Sequence, residues 1–174
     1  ITDQPLDIAI NGRGFFQIQM PDGNIGYTRD GTFHINNEGT VVNVNGYPLE
    51  PQIVIPEQTN NLTISEDGIV QATMFGDPNP QQLGQIETVD FINPAGLQAA
   101  GGNLFLETAA SGAPQGGVPG EDGFGRVVQG ALENSNVEVV EELVKMITVQ
   151  RAYEMNSKVV SAADQMLQFL TQNT

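Results

Sequence analysis

The chain has 174 residues, with 21 acidic against six basic side chains and a formal charge of −15. That length allows one or two domains with a real core, while so acidic a surface argues against nucleic acid or anionic membrane as a partner. There is no cysteine, which removes disulfide and thiolate chemistry. No run of about 18 apolar residues offers a helical membrane span.

The charge is uneven. Residues 1–135 hold 16 acids and only Arg13, Arg29 and Arg126, a balance of −13, whereas residues 136–174 hold five acids and three bases, a balance of −2. The first residues, Ile1-Thr2-Asp3-Gln4-Pro5, lack the charged and apolar regions of a signal peptide.

Residues 1–110 read as a β-rich domain. Short alternating runs (Asp7 to Ile10, Phe16 to Met20, Thr40 to Val44, Leu62 to Ile64, Ile69-Val70) are separated by turn chemistry. Pro21-Asp22-Gly23 presets a corner, and Asp30-Gly31, Asn45-Gly46 and Asp67-Gly68 suit two-residue hairpins. Turns at this spacing predict an antiparallel meander, barrel or sandwich. Phe15, Phe16, Tyr27, Phe33, Tyr47, Phe75 and Phe91 are the expected core, and Asn103 to Glu107 one further strand.

The character changes at residue 94, since ten of the 20 glycines fall within residues 94–130. Residues 111–130 are expected to be an extended Gly/Pro-rich connector, either a flexible tether or a segment that orders against a neighbouring subunit.

Residues 131–174 contain neither glycine nor proline and carry a sustained apolar repeat. Val139, Met146, Val149, Tyr153, Asn156, Val160, Ala163, Leu167 and Leu170 fall at heptad a/d spacing, with Glu142 filling the one gap. A second row runs through Val140, Val144, Ile147, Arg151, Met155, Val159, Ala162, Met166 and Phe169. At about 100° per residue the two rows lie a quarter-turn apart, wider than a two-stranded seam. Ser135 with Glu138 forms a capping box that places the helix start near Asn136, and a helix from there to Gln172 would measure about 55 Å. Glu141–Lys145 and Glu154–Lys158 are favourable i,i+4 pairs. A core helix of a globular domain is the simpler alternative, but such helices usually stop near ~20 residues. The expected class is therefore α+β: an antiparallel β-rich domain, a connector and one long coiled-coil-type helix. The expected assembly face is Val139, Val140, Met146, Ile147, Val149, Tyr153, Asn156, Val160, Ala163, Leu167 and Leu170.

Catalytic chemistry finds little support. With His34 the sole histidine and no cysteine, neither a zinc site nor a Cys–His pair can be assembled. No G-x-S-x-G context accompanies a serine, and no two carboxylates stand out as a hydrolytic pair. Asn11-Gly12-Arg13-Gly14 resembles part of a phosphate loop, yet no helical pattern follows it, so a turn before a strand is the better reading. Glu66-Asp67-Gly68 and Glu121-Asp122-Gly123 lack EF-hand spacing and read as solvated turns. No enzyme, metal or cofactor is expected.

Gln129 to Val137, Glu141 to Val144, Met146-Ile147 and Gln150 to Lys158 resemble the C-terminal motif of the flagellar rod and hook proteins. Asp164 to Leu170 is similar to the ending of distal-rod members, while Asp7 to Gln17 and Tyr27 to Phe33 resemble the family's central-domain motifs. Ser111-Gly112-Ala113-Pro114 and Pro119-Gly120 resemble its connector. The resemblance spans the whole chain. It implies a structural axial subunit that polymerises into the distal rod of the flagellar basal body, a hollow shaft passing torque from motor to hook. The partners it implies are like subunits, the proximal rod, the hook, the rod cap and the surrounding P- and L-ring proteins, without nucleic acid or membrane insertion. It also implies a periplasmic place reaching the outer membrane, and export through the flagellar secretion system without a cleaved signal. Family members carry a further helix and an Asn-rich motif ahead of the β domain, so a fragment is expected, whose missing helix would pair with Val139 to Leu170 in the inner wall of a tube. A hook or proximal-rod protein is the alternative within the class. A β-rich adhesin or carbohydrate-binding module with a stalk helix is the alternative outside it, and would need a groove of convergent carboxylates and aromatics.

Overall fold

Alternation of apolar and polar side chains shapes the early strands. In the computed structural model, which describes residue 2, residues 4–133, 146–158 and residue 160, β1 (Ile8–Asn11) turns Ile8 and Ile10 inward. β2 (Phe15–Gln19) buries Phe16 and Ile18 in the same way. Next come β3 (Ile25–Thr28), β4 (Phe33–Ile35), β5 (Val41–Asn43) and β6 (Leu49–Glu50). They are followed by β7 (Thr59–Ile64), β8 (Ile69–Met74), β9 (Asp77–Gln85) and β10 (Thr88–Asp90). β11 (Gln98–Gly101), β12 (Leu104–Leu106), β13 (Gln115–Gly117) and β14 (Arg126–Gln129) complete the unit Ile1–Glu133. The second unit, Asn134–Thr174, is described over a helix, α1, at 146–158. The protein is thus an antiparallel, strand-rich unit followed by a helix.

One seven-stranded antiparallel sheet has the order β11-β12-β3-β2-β10-β13, with β6 also paired to β2; β7-β8-β9 form a second sheet, and β1-β14 and β4-β5 form ribbons. β2 is the pivot. Its first half pairs with β10 through Phe15 and Phe16, its second half with β6 through Gln17 and Ile18, and its other edge with β3. One of its faces is buried and the other is partly covered, ending in exposed Gln19. Phe16 and Ile18 enter the main core with Ile8, Phe33, Leu49, Ile53 and Val127, while Phe15 packs on the opposite side with Tyr27, Val89, Phe91 and Phe105. Edge-on aromatic pairs mark both clusters, Phe16–Phe33 at 5.2 Å and Tyr27–Phe91 at 4.8 Å between ring centroids. Such pairs add about 0.5–1.5 kcal/mol beyond area burial. Phe75 departs from its expected place in the core: at the β8–β9 hairpin tip it is 72% exposed.

The hairpins differ from expectation by one residue. Bonds from Met20, Asn36, Asn43 and Ser65 N–H to the carbonyls of Asn24, Thr40, Tyr47 and Ile69 each enclose three residues, not two. The third is always a glycine at positive φ, namely Gly23, Gly39, Gly46 and Gly68. This is the three-residue loop in which a left-handed residue restores the strand twist. Asp30-Gly31 makes no hairpin. Gly31 instead accepts a bond from Ile8 N–H at 3.0 Å, where the two backbones lie so close that a Cβ would overlap the Ile8 carbonyl.

Residues 111–130 are extended but do not form a free tether. β13 pairs with β10 and β14 with β1, and Ser111, Pro119 and Val127 are fully buried. Glycine makes this possible by allowing backbone-to-backbone approach, as where a Cβ on Gly12 would meet the Gly125 Cα at 2.7 Å. The β unit continues through Ala131 to Glu133, which are not helical.

Replacing Gly31 by alanine is expected to destabilise the β unit by roughly 3 kcal/mol or more. Gly116→Ala, where nothing lies within 4 Å, is expected to change stability by less than about 0.5 kcal/mol in urea unfolding.

Candidate functional site

Helix α1 holds five of the residues that the apolar repeat singles out. Met146, Ile147, Val149, Tyr153 and Asn156 lie on it and Val160 beyond it, all exposed, with Tyr153 at 77%. Met155 from the second row is exposed too. Val139, Val140, Ala163, Leu167 and Leu170 lie outside the described residues. Among the described residues the ion pairs are Arg13–Asp90, Arg29–Glu133 and Arg126–Glu66, and Glu154–Lys158 is not one of them.

The β unit prepares the point at which the chain leaves it. Asp7 O accepts Gly130 N–H at 2.7 Å and Ala131 N–H at 3.3 Å, and Gly130 O accepts Thr2 N–H. Gln129 acts as a substitute strand. Its carboxamide accepts Ile64 N–H at 3.0 Å and donates to Leu62 O at 3.0 Å and to Pro5 O at 2.9 Å. A side-chain amide thus covers part of the free edge of β7. The far edge of the same sheet is β9, where Pro78 and Pro80 withhold donors from any added strand.

Arg29 ties the entrance and exit together. Its Nη1 donates to Gly12 O and Gly14 O at 2.9 Å each, its Nη2 to Ile10 O at 3.1 Å, and its Nε to Glu133 Oε2 at 2.8 Å. The guanidinium also lies 5.9 Å over the Phe15 ring. The Asn11–Gly14 turn therefore presents carbonyls to a cation, the opposite polarity to a phosphate loop. Arg13, within that turn, pairs with Asp90 at 2.8 Å.

Next to Arg29, Asp30 holds the β11–β12 turn by accepting Asn103 Nδ2–H at 2.9 Å, and it also accepts Thr32 N–H at 3.1 Å. Burial pushes the Asp30 carboxyl up, but the hydrogen bonds from Asn103 and Thr32 together outweigh it and leave the group below its ordinary value. Tyr27 moves the other way, raised by burial and by the negative charge of Glu107.

His34 is exposed on β4, opposite Val42, and Glu66 of the first acidic turn is held by Arg126 at 2.9 Å. A groove of about 540 Å³ runs beside Pro5, Leu6, Ile35, Ile55 and Leu62; Glu57 is the one charged residue of its lining, and no aromatic is among them. It does not offer the converging carboxylates and aromatics of a carbohydrate site.

By sequence, the chain falls within a class of flagellar structural subunits. Residues 9–72 match the family model described as flagellar hook protein FlgE/F/G D1 domain, and residues 128–173 match flagellar basal body rod FlgEFG protein C-terminal. The chain belongs to the flagellar hook and basal-body rod protein family. The flagellar basal-body rod protein FlgG of Caulobacter vibrioides is 52% identical over 172 residues, which is 99% of this chain and 66% of that protein. FlgG of Borreliella burgdorferi is 52% identical over 168 residues, 95% of this chain and 63% of that protein. FlgF of Salmonella typhimurium is 33% identical over 169 residues, 94% of this chain and 66% of that protein. The chain spans slightly under two thirds of the length of these relatives.

Because the Asp30 carboxyl is depressed in the folded protein, its contribution is full above the unfolded value of about 3.9 and fades as pH falls through the lower folded value. Asp30→Ala is expected to lose about 1 kcal/mol at pH 7. In melts followed from pH 7 to pH 2, the gap from the unsubstituted protein should close at the acid end.

Proposed function

We propose that the chain is the tube-forming part of a distal-rod subunit of the bacterial flagellar basal body. Copies polymerise into a hollow helical shaft that passes torque from motor to hook. The observation that carries this reading is that every described residue of α1 is exposed, although Met146, Ile147, Val149, Tyr153 and Met155 are apolar. Burying each such side chain yields about 1.5–3 kcal/mol. Two apolar rows a quarter-turn apart let one helix contact more than one neighbour, as a closed wall of helices requires. Heterologous contacts that do not close into a ring then propagate as an open array. The sharing of 52% identity with two proteins named FlgG, against 33% with one named FlgF, supports the distal-rod reading.

In this reading residues 1–133 form the outer layer and residues 134–174 the inner wall. That wall is lined by Val139, Val140, Met146, Ile147, Val149, Tyr153, Asn156, Val160, Ala163, Leu167 and Leu170, paired with a helix from the remainder of the full-length protein. The shaft crosses the periplasm, meets the proximal rod, the rod cap and the hook, and turns inside the P- and L-rings. Export through the flagellar secretion channel supplies the subunits. Catalysis has no part in it. The three arginines of the β unit are each engaged by an acid of the same unit, so the outer layer presents mainly unpaired acids. Such a surface suits a bearing that must not lock onto its ring.

Val149→Asp or Tyr153→Asp in the full-length protein is expected to raise the concentration needed for sedimentable assembly more than about tenfold, since burying an unpaired charge at each contact costs several kcal/mol. The melting of the β unit should not change. A normal assembly threshold in both variants contradicts the reading.

Asn156 interrupts an apolar row, and a polar residue at a seam fixes register at some cost in stability. Asn156→Leu is expected to assemble at least as readily but with mixed register in image reconstructions. A single unchanged register means that Asn156 has no such role.

A further inference from the structure

The carbonyls of Ile10, Gly12 and Gly14 and the carboxylate of Glu133 converge on one guanidinium from opposite sides of the chain's entrance and exit. The two sets of contacts differ in kind. Toward β1 and the Asn11–Gly14 turn, Arg29 gives three hydrogen bonds to backbone oxygens, one to Ile10 and two within the turn, two of the three part-buried, on a ring-backed guanidinium. Toward Glu133 it gives one ionic bond in which the side chains are 30% and 48% exposed. Between these anchors the strap starts at Gly130, whose φ of 68° makes a sharp left-handed corner as β14 ends. Gly130 and Ala131 both donate their N–H to a single carbonyl, that of Asp7, the second bond long at 3.3 Å, and the Gly130 carbonyl accepts Thr2 N–H.

We propose that Arg29 is a positioning residue with one fixed and one releasable grip: it clamps the Asn11–Gly14 turn permanently and latches residues 130–133 through Glu133. The latch sets the direction in which the chain leaves the β unit, and Gly130 is the corner about which it swings when the latch opens. An exposed ion pair is weak and screened by salt, so the strap opens without disturbing β1 and β2. The bearing of this latch on subunit geometry in a shaft rests on the function proposed above, but the latch itself belongs to the single chain.

The test is amide hydrogen exchange on the full chain kept below its assembly concentration, so it does not depend on whether shafts form. In the unsubstituted protein, raising salt from low to molar concentration is expected to speed exchange of the Gly130 and Ala131 amides roughly two- to fivefold. Glu133→Gln should show that faster exchange already at low salt, with no further response to salt, while the amides of the Asn11–Gly14 turn and β2 keep their protection. Arg29→Gln should loosen the turn and the strap together. The proposal is overturned if Glu133→Gln leaves Gly130 and Ala131 exchange and its salt response unchanged. It is equally overturned if the turn loosens along with the strap in that variant. Glu133 is exposed and outside the core, so this substitution does not threaten the fold.

Discussion

Packing against both faces of β2 holds the β unit together. A strand in a two-layer protein commonly shows one face to water, but here Phe16 and Ile18 point into one cluster and Phe15 into another. Because β2 also pairs along both edges, with β3 on one side and β10 and β6 sharing the other, its position fixes four strands at once. The turn ahead of it, the crossing at Gly31 and the Arg29 guanidinium all serve to place this strand.

From that centre the structure runs outward to the exit. β1 and β14 lie side by side, so the residues before Ile8 and after Gln129 are neighbours, joined by the Thr2–Gly130 and Asp7–Gly130 bonds. Gln129 and Arg29 then use side chains where backbone pairing ends, one as a surrogate peptide group and the other as a multidentate donor.

The sequence made some of this legible and hid the rest for physical reasons. β1, β2, β7 and β8 follow from alternation, because alternate residues of each enter the main core. β9 was invisible, since Asp77-Pro78-Asn79-Pro80-Gln81-Gln82 is an edge with no apolar face to read. The hairpins were recognisable from their glycines, but Asn-Gly and Asp-Gly pairs do not by themselves distinguish two-residue from three-residue loops. Phe75 looked like core because aromatic character says nothing of a hairpin tip. For residues 111–130 glycine content leaves a flexible tether and ordering against a neighbouring subunit both open, whereas the segment packs within its own β unit, where glycine serves close approach. For the assembly face, the periodicity named residues that are exposed wherever they are described. Arg29 and Gln129 carried only the signal of lying within family-like motifs, since their partners are 15 to 124 residues away in sequence.

The apolar side chains of α1 are exposed wherever they are described, and their burial among copies of the chain is the claim on which the proposed function turns. An image reconstruction of the assembled full-length protein tests it most directly. Residues 146–158 of neighbouring subunits should lie side by side around a lumen, with the β units outside them. Helices folded back singly on their own β sheets, or a lumen walled by strands, would contradict the account.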